Sequence, residues 1–289
     1  MKKRILILAG GVASRMKKAA ENITGIDEGL IQQANTLTKG MIRLGKSGKS
    51  LMDYLLYNAA QEGLEEALLL LHPEDTITQA YYENLMRENK TWGLQIMFAR
   101  QHIAPDRIKP AGTADAVCQA LEQHLSWQQG RIIVCNSDNL YSREAIRLLW
   151  NSPYANALIS YDRKALNFPE ERIKAFALIK TDTKGFLKAI IEKPSDEQVE
   201  EEFRQSGRVG VSMNIFVLET LQFFPYLQKT PFHPVRNERE LPTSITLFME
   251  DHPSEFFTIP LAENVPDLTS KQDISLVQEY LEKNYPTDF

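Results

Sequence analysis

The stretch ILILAGGVASRM (Ile5–Met16) decides the fold, because a short apolar run stops at two adjacent glycines and a helix-compatible run follows. The run Ile5–Ala9 predicts a buried β-strand. Gly10 and Gly11 let the backbone turn without Cβ interference, so backbone amides could line a phosphate chain, with Arg15 adding a fixed positive charge. A tight strand-to-helix turn followed by a surface arginine fits this segment equally well.

The composition is that of an ordinary globular protein and excludes several classes of function. The 289 residues are 43% hydrophobic and 25% charged, which argues against disorder and coiled coil. The formal net charge of -5 gives no whole-protein attraction to nucleic acid or to an anionic membrane surface. The N-terminal apolar run is shorter than a signal-peptide core, and no run reaches the length of a membrane span. We therefore expect a cytoplasmic protein with no nucleic-acid or membrane partner, and leave a homo-oligomer open.

Cysteine, histidine and serine patterns give no catalytic or metal motif. Cys118 and Cys135 lie far apart in apolar stretches, and neither belongs to a CxxC pair, which predicts reduced, buried thiols. The histidines lack a metal-ligand spacing such as H-E-x-x-H, and no serine sits in a G-x-S-x-G elbow.

Strand and helix signals alternate through the first half of the chain. The predicted strands are Ile5–Ala9, Ala67–Leu71, Leu94–Ala99 and Arg131–Cys135, and the predicted helices are Leu51–Glu62, Asp75–Asn89 and Thr113–His124. Such alternation is typical of βαβ units. It predicts an α/β, Rossmann-like fold with a mixed, mainly parallel central sheet flanked by helices.

The second half of the chain has an antiparallel character. Ala175–Pro194 has two extended runs around a turn that ends at Gly185, which predicts a β-hairpin, and Val209–Glu219 predicts another strand. The chain closes with an amphipathic helix, where Thr269 and Gln272 have the spacing of a capping box. We predict a single domain over residues 1–289, with a nucleotide-type front half to about residue 140 and an antiparallel rear half after it.

A second candidate phosphate loop, GMIRLGKS (Gly40–Ser47), matches G-x-x-x-x-G-K-[ST] letter for letter. That motif requires a strand before it and a helix directly after it. Here the preceding IQQANTLTK is polar, Met41–Leu44 predicts a short strand, and a polar turn, Gly45–Lys49, precedes the next helix. A chance match is the better explanation of this segment.

Three further segments place polar residues where chemistry is expected, although each also has a plain structural explanation. NSDN (Asn136–Asn139) follows a strand, and Asp138 at that carboxyl end suits Mg²⁺, although the same residue types favour turns. AGTADAV (Ala111–Val117) is a glycine turn that opens a helix, which Thr113 could simply cap. IIEKP (Ile190–Pro194) ends a strand with an acid and a base, as a solvated hairpin end also would.

In order along the chain, these segments resemble the motifs of the sugar-phosphate nucleotidyltransferases, also called nucleotide-sugar pyrophosphorylases. The matching segments are LAGGVASRM, KGMI (Lys39–Ile42), GTADA, NSDN, EKP, VSMNIFVL and DLTSKQD (Asp267–Asp273). The chain departs from the family pattern at Ala13, Gly40 and Leu268-Thr269, where members usually have a glycine, a proline and a residue-glycine pair. The segment 17–38 is also longer than in many members.

The resemblance implies a nucleotide-diphospho-sugar transferase fold and an Mg²⁺-dependent reaction. A sugar 1-phosphate would attack an NTP bound by the front half, giving a nucleotide-sugar and pyrophosphate, with the sugar phosphate held by the rear half. By this resemblance the catalytic residues are Arg15 and Lys39; the NTP-binding residues are Ala9, Gly10, Gly11, Ala13, Gly112 and Thr113; the sugar-phosphate-binding residues are Asn139, Glu192, Lys193 and Asn214; and the Mg²⁺ ligands are Asp138 and Asp267.

Three other functions stay open. A cytidylyltransferase acting on a non-sugar phosphate such as phosphocholine would use the same fold. The departures at Ala13, Gly40 and Leu268-Thr269 leave room for a catalytically weak regulatory protein that binds a nucleotide or nucleotide-sugar. A P-loop NTPase comes last.

Overall fold

The computed structural model describes residues 2–11, 16, 27–45 and 48–289. Its strands are β1 (Arg4–Ala9), β2 (Glu66–Leu71), β3 (Gln95–Arg100), β4 (Arg131–Asn136), β5 (Asn156–Asp162), β6 (Leu178–Thr181), β7 (Leu187–Ile191), β8 (Gly210–Glu219) and β9 (Phe256–Leu261). Its α-helices are α1 (Glu28–Thr36), α2 (Leu51–Gln61), α3 (Thr76–Arg87), α4 (Thr113–Gln123), α5 (Arg143–Trp150), α6 (Glu170–Lys174), α7 (Asp196–Ser206), α8 (Thr220–Lys229), α9 (Leu241–Asp251) and α10 (Asp273–Asn284). None of the helices in these ranges is long and apolar enough to cross a membrane.

The chain forms two compact units that interleave along the sequence. Unit 1 comprises Met1–Pro110, Asn136–Arg143 and Pro266–Phe289, and unit 2 comprises Ala111–Cys135 and Glu144–Val265. The single domain with sequential front and rear halves stays a prediction. Each unit is described by itself below.

The sheet of unit 1 is parallel. β1 pairs with β2, and β2 pairs with β3, in a register that sets Ala9 opposite Leu71 and Leu71 opposite Arg100. The three strands therefore end level, and their carboxyl ends share one edge. All six residues of β2 are buried, as expected for a parallel strand covered on both faces. The predicted strands of this unit are confirmed, and β3 begins one residue later than expected.

Unit 2 is mostly antiparallel. β8 pairs antiparallel with both β4 and β5, and β5 pairs in parallel with β9. β6 and β7 form an antiparallel hairpin around a turn in which the Asp182 N–H donates to the Phe186 carbonyl at 2.8 Å. The predicted hairpin and the predicted strand at β8 are therefore confirmed.

The predicted short strand Met41–Leu44 is wrong. A 3₁₀ turn occupies Lys39–Met41, and Arg43 makes an isolated bridge to Ser50. The apolar residues of this segment are instead buried in the core of unit 1, which accounts for the strand-like pattern. Helix α1, not a strand, precedes this turn, so the P-loop interpretation lacks its required strand.

The predicted capping box at Thr269 and Gln272 is also wrong. Helix α10 begins at Asp273, and Gln272 makes no side-chain capping bond. The Asp273 carboxylate accepts from the Thr269 N–H at 2.9 Å and from the Ser270 N–H at 2.6 Å. An aspartate therefore satisfies the free amides that the capping box was expected to satisfy.

Gly112 is required by its backbone conformation and by its neighbour. Its φ is +110°, and a Cβ there would lie 2.4 Å from the carbonyl oxygen of Arg239. We expect Gly112→Ala to lower the free energy of unfolding by about 3 kcal/mol or more, because backbone strain and a backbone clash add. Gly207→Ala is the matched control, since Gly207 also has a positive φ, +73°, but open space around it. It should cost about 1 kcal/mol, and equal urea midpoints for the two variants would contradict this account.

Both cysteines are buried and free, as predicted. Burial, assisted by the nearby Glu122 carboxylate, raises the pKa of the Cys118 thiol to about 12, and burial raises the pKa of Cys135 well above its ordinary value. A raised pKa leaves a thiol neutral and therefore unreactive at pH 8. Reaction with iodoacetamide at pH 8 should need urea for both thiols, and rapid labelling of the folded chain would contradict their placement.

Candidate active site

The centre of the candidate site is an ion pair between Lys39 and Asp138. The Lys39 ammonium donates to Asp138 Oδ2 at 2.7 Å, and the two side chains are 13% and 25% exposed. Lys39 opens the 3₁₀ turn, and Asp138 follows β4. A Cβ on Gly40 would lie 3.1 Å from the Ser137 carbonyl oxygen and 2.7 Å from the Met52 methyl. Gly40, where family members usually have proline, thus lets the lysine turn approach the segment that carries Asp138.

Asp267 comes to the same place through main-chain pairing. Asn139 and Asp267 form an antiparallel bridge. The Leu140 N–H donates to the Pro266 carbonyl at 2.9 Å, and the Leu268 N–H donates to the Asp138 carbonyl at 2.8 Å. The backbones that carry the two aspartates are therefore neighbours.

The departure from the family pattern at Leu268-Thr269 has a local explanation. Leu268 is fully buried in the core. The Thr269 hydroxyl donates to Asp267 Oδ1 at 2.6 Å. These residues hold the Asp267 carboxylate through a side chain, whereas a glycine in place of Thr269 would leave it without that donor.

The residues present fit a magnesium ion shared with phosphate oxygens. Mg²⁺ is usually held by one or two carboxylates together with substrate phosphates rather than by a cage of protein ligands. In the described part of the chain, no group of three or more His, Cys, Asp or Glu side chains could hold a metal ion. Asp138 and Asp267 provide the two-carboxylate set, and the Lys39 ammonium adds a cation beside it.

Gln101 is a candidate ligand contact that the sequence analysis missed. A Cβ on Gly10 would lie 2.5 Å from Gln101 Oε1, so the two residues pack directly against each other at the end of β1. Gln101 is 3% exposed, and its Nε2 has no hydrogen-bond partner among the described residues. The Asn139 Nδ2, also buried, is unpaired in the same sense. Buried amide donors without partners mark places where a ligand or water is expected.

A polar cavity of about 580 Å³ adjoins the predicted phosphate loop in unit 1. Its lining includes Gly11 after β1, Thr38 before the lysine turn, and His72 after β2. Ligands of open parallel sheets bind beyond the carboxyl ends of the strands, which is where this cavity lies. Of the other residues predicted for this loop, Ala9 is buried at the end of β1, while Ala13 and Arg15 lie outside the described residues.

In unit 2, Gly112 and Thr113 have structural contacts of their own. Gly112 is the N-terminal cap of α4, and Thr113 is its first residue rather than the cap. The Thr113 hydroxyl accepts from the Leu241 N–H at 2.9 Å, and the Ala114 N–H donates to the Arg239 carbonyl at 2.9 Å. The GTADA motif thus holds the segment from Arg239 to Leu241, and its role in NTP binding stays a prediction.

Glu192 and Lys193 follow β7 and are exposed. Lys193 has a left-handed backbone, with φ +48°. Glu192 Oε2 lies 3.7 Å from the Arg236 guanidinium, which also pairs with Glu240 at 2.9 Å. Burial raises the pKa of Glu240, and the charge of Arg236 opposes that shift. Arg236 is a second residue that the sequence analysis missed, because only folding brings it to Glu192.

Asn214 lies in an irregular part of β8. The register passes from Leu158 opposite Phe216 to Ser160 opposite Ser212, so β8 carries extra residues between these pairs. Asn214 is exposed there and has φ +57°. Such bulges redirect side chains and are common next to functional sites.

The family model described as nucleotidyl transferase matches residues 31–230, which is more than half of the chain. The chain belongs to the nucleotidyl transferase family. The predicted family is thereby confirmed. The matched residues contain Lys39 and Asp138, whereas Asp267 lies beyond them.

The curated relatives of this nucleotidyl transferase carry one name. It is 25% identical over 235 residues to the glucose-1-phosphate adenylyltransferase of Granulibacter bethesdensis, and 24% identical over 232 residues to that of Rhodopseudomonas palustris strain TIE-1. Each match covers 79% of this chain and 51% or 50% of the relative. The chain therefore spans about half the length of the curated relatives it matches.

A solved structure titled UDP-glucose pyrophosphorylase complexed with UDP-glucose has the same fold. Its TM-score to this nucleotidyl transferase is 0.70 at 15% sequence identity, covering 98% of this chain and 99% of that one. The predicted fold class, a mixed and mainly parallel α/β fold of the nucleotide-diphospho-sugar transferase type, is confirmed by this likeness.

Proposed function

We propose that this chain joins an NTP and a sugar 1-phosphate into a nucleotide-sugar, with release of pyrophosphate. The observation that carries the proposal is the grouping of Lys39, Asp138 and Asp267, which an ion pair and a main-chain bridge bring together from three distant segments. A cation beside two carboxylates matches a triphosphate that binds with a divalent metal. The names of the relatives and of the solved structure, all of which act on or contain glucose, support a sugar substrate.

The reaction needs positioning and charge more than acid–base chemistry. An oxygen of the sugar phosphate bonds to the α-phosphorus, and the bond from that phosphorus to the bridging oxygen breaks, so pyrophosphate leaves with the electron pair. The attacking oxygen is already anionic at neutral pH, so it needs no general base. The main barrier is to bring two anions together and to stabilise the leaving group.

The residues of unit 1 suit the triphosphate. The Lys39 ammonium binds its phosphates, while the backbone of Ala9, Gly10 and Gly11 lies alongside them, with Ala13 and Arg15 continuing the same loop in sequence. Asp138 and Asp267 hold Mg²⁺, which offsets negative charge on the phosphates when bound. The unpaired amides of Gln101 and Asn139 donate to bound ligand.

The residues of unit 2 suit the rest of the substrates. Glu192 accepts from sugar hydroxyls, with Arg236 fixing its carboxylate, and Lys193 pairs with the sugar phosphate. Asn214, on the irregular part of β8, is a further sugar contact. Gly112 and Thr113 remain candidates for the nucleoside.

A substrate matrix tests the proposal. The full chain is incubated with Mg²⁺, each common NTP and a panel of sugar 1-phosphates led by glucose 1-phosphate, and pyrophosphate release is measured. Release that needs both an NTP and a sugar 1-phosphate supports the proposal. Release with CTP and phosphocholine alone would favour the cytidylyltransferase, and nucleotide binding by calorimetry without release would favour the regulatory protein.

The Gln101 amide gives a prediction for substrate binding. We expect Gln101→Met to raise the KM for the NTP about tenfold, because a hydrogen bond to ligand is lost while the fold loses none from that Nε2. Gln205→Met, on the exposed face of α7, is the control and should leave the KM unchanged. An unchanged KM for Gln101→Met would remove Gln101 from the site.

A further inference from the structure

A groove in unit 2 lies apart from every residue assigned a role above. It has a volume of about 570 Å³ and lies among the turn Arg163–Ala165, α6, α7 and the start of β8. Its apolar floor consists of Ile173, Val199, Phe203 and Val209. Clefts of a few hundred Å³ with apolar walls and a few polar groups are typical of small-molecule sites.

The floor exposes a large aromatic ring. Phe203 is 43% exposed, although it faces the groove. The Lys164 ammonium lies 4.6 Å from the centre of that ring, within the range of a cation–π contact. An apolar ring with a cation over it is a surface that water solvates poorly and that an apolar group with an attached anion would cover well.

The charged residues that line the groove leave it electropositive. Arg163, Lys164 and Arg204 contribute cations, while Glu170 and Glu200 contribute carboxylates. Glu170 is already paired with Lys174, at 3.4 Å. Within the described residues, neither Arg163 nor Arg204 forms an ion pair with a carboxylate. The guanidinium groups therefore keep their donors available for an incoming anion.

We propose that this groove binds a small amphiphilic anion, with an aromatic or acyl body ending in a carboxylate, sulfonate or phosphate. The body covers Ile173, Val199 and Phe203, and the anionic end pairs with Arg163 and Arg204. A concave volume of about 570 Å³ accommodates one such molecule. The site is independent of the nucleotidyl transfer proposed above, so either proposal can fail without the other.

A matched pair of fluorescent probes tests both halves of the proposal. 8-Anilinonaphthalene-1-sulfonate has an apolar body and a sulfonate, and N-phenyl-1-naphthylamine has the same body without the charge. The full, folded chain should bind the sulfonate saturably at one equivalent, about tenfold or more tighter than the neutral probe, because charge-assisted hydrogen bonds are the stronger ones. Decanoate should compete with the sulfonate probe.

Variants then locate the binding. Phe203→Glu should weaken sulfonate binding about tenfold or more, and Arg163→Gln with Arg204→Gln should remove the preference over the neutral probe. Leu221→Glu is the matched control, since Leu221 is an exposed apolar residue, at 66%, on α8 and outside the groove. Circular dichroism confirms that each variant is folded.

Four outcomes overturn the proposal. They are non-saturable probe binding, equal affinity for the two probes, and equal loss in Leu221→Glu and Phe203→Glu. The fourth is a change in sedimentation coefficient of the Phe203→Glu variant without any probe binding by the parent chain, which would make the groove an interface between copies.

Discussion

Replacing Asp138 by asparagine is expected to lower the rate of pyrophosphate release about 10²–10³-fold. The change removes a carboxylate from the proposed Mg²⁺ set and the partner of the Lys39 ammonium, while the backbone bridge to the Asp267 segment stays. The affinity of the nucleotide-free chain for Mn²⁺, followed by electron paramagnetic resonance, should fall together with the rate. Steady-state assays at saturating NTP and sugar 1-phosphate give the rate, and the urea midpoint reports on the fold.

Asp288→Asn is the matched control for the Asp138 variant. Asp288 is an exposed carboxylate of the same unit and lies outside the candidate site. Its substitution should change neither the rate nor the affinity for Mn²⁺. A folded Asp138→Asn variant that keeps the parent rate and the parent Mn²⁺ affinity would remove Asp138 from the site.

Replacing Lys39 by methionine is expected to separate catalysis from metal affinity. The rate should again fall about 10²–10³-fold, because the ammonium that binds the phosphates is lost. The affinity for Mn²⁺ should rise about tenfold, because Asp138 is no longer paired with a cation that repels the metal ion. Paramagnetic resonance of the nucleotide-free chain measures that affinity without any turnover.

The opposite effects on Mn²⁺ affinity make the two variants mutually informative. Lys46→Met is the control for Lys39→Met, because Lys46 is the lysine that the P-loop interpretation would use. It should leave the rate and the Mn²⁺ affinity close to those of the parent chain. A loss of activity in Lys46→Met with none in Lys39→Met would reverse the assignment of the phosphate-binding lysine.

The strands and turns that position the site were readable from local sequence. Apolar runs located β1, β2 and β4, because parallel strands buried on both faces are continuously apolar. Asp138 was predicted from its place directly after such a run. Lys39 was predicted from a motif, although the segment after it forms a 3₁₀ turn rather than the expected strand.

Contacts between distant segments were not readable in the same way. The neighbourhood of Asp138 and Asp267 depends on an antiparallel bridge between segments from opposite ends of the chain, and no local pattern encodes it. The resemblance to a family supplied Asp267 instead. Gln101 and Arg236 had no motif, and their contacts with Gly10 and Glu192 arise only from packing.

The irregular part of β8 illustrates a limit of periodicity. The run VGVSMNIFVLE predicts a strand well, because most of its residues are apolar and buried. The positive φ at Asn214 and the shift of register against β5 follow from pairing with that partner strand. Sequence alone therefore located the strand but not the point at which it redirects a side chain.

The partition of a radioactive label tests the central claim most directly. The full chain is incubated with Mg²⁺, a sugar 1-phosphate and an NTP that carries ³²P at either the α or the γ position. The account predicts that the α label enters a nucleotide-sugar and the γ label enters pyrophosphate, both only when the sugar 1-phosphate is present. Release of the γ label as inorganic phosphate without the sugar, or no transfer from any NTP that the chain binds, would contradict it.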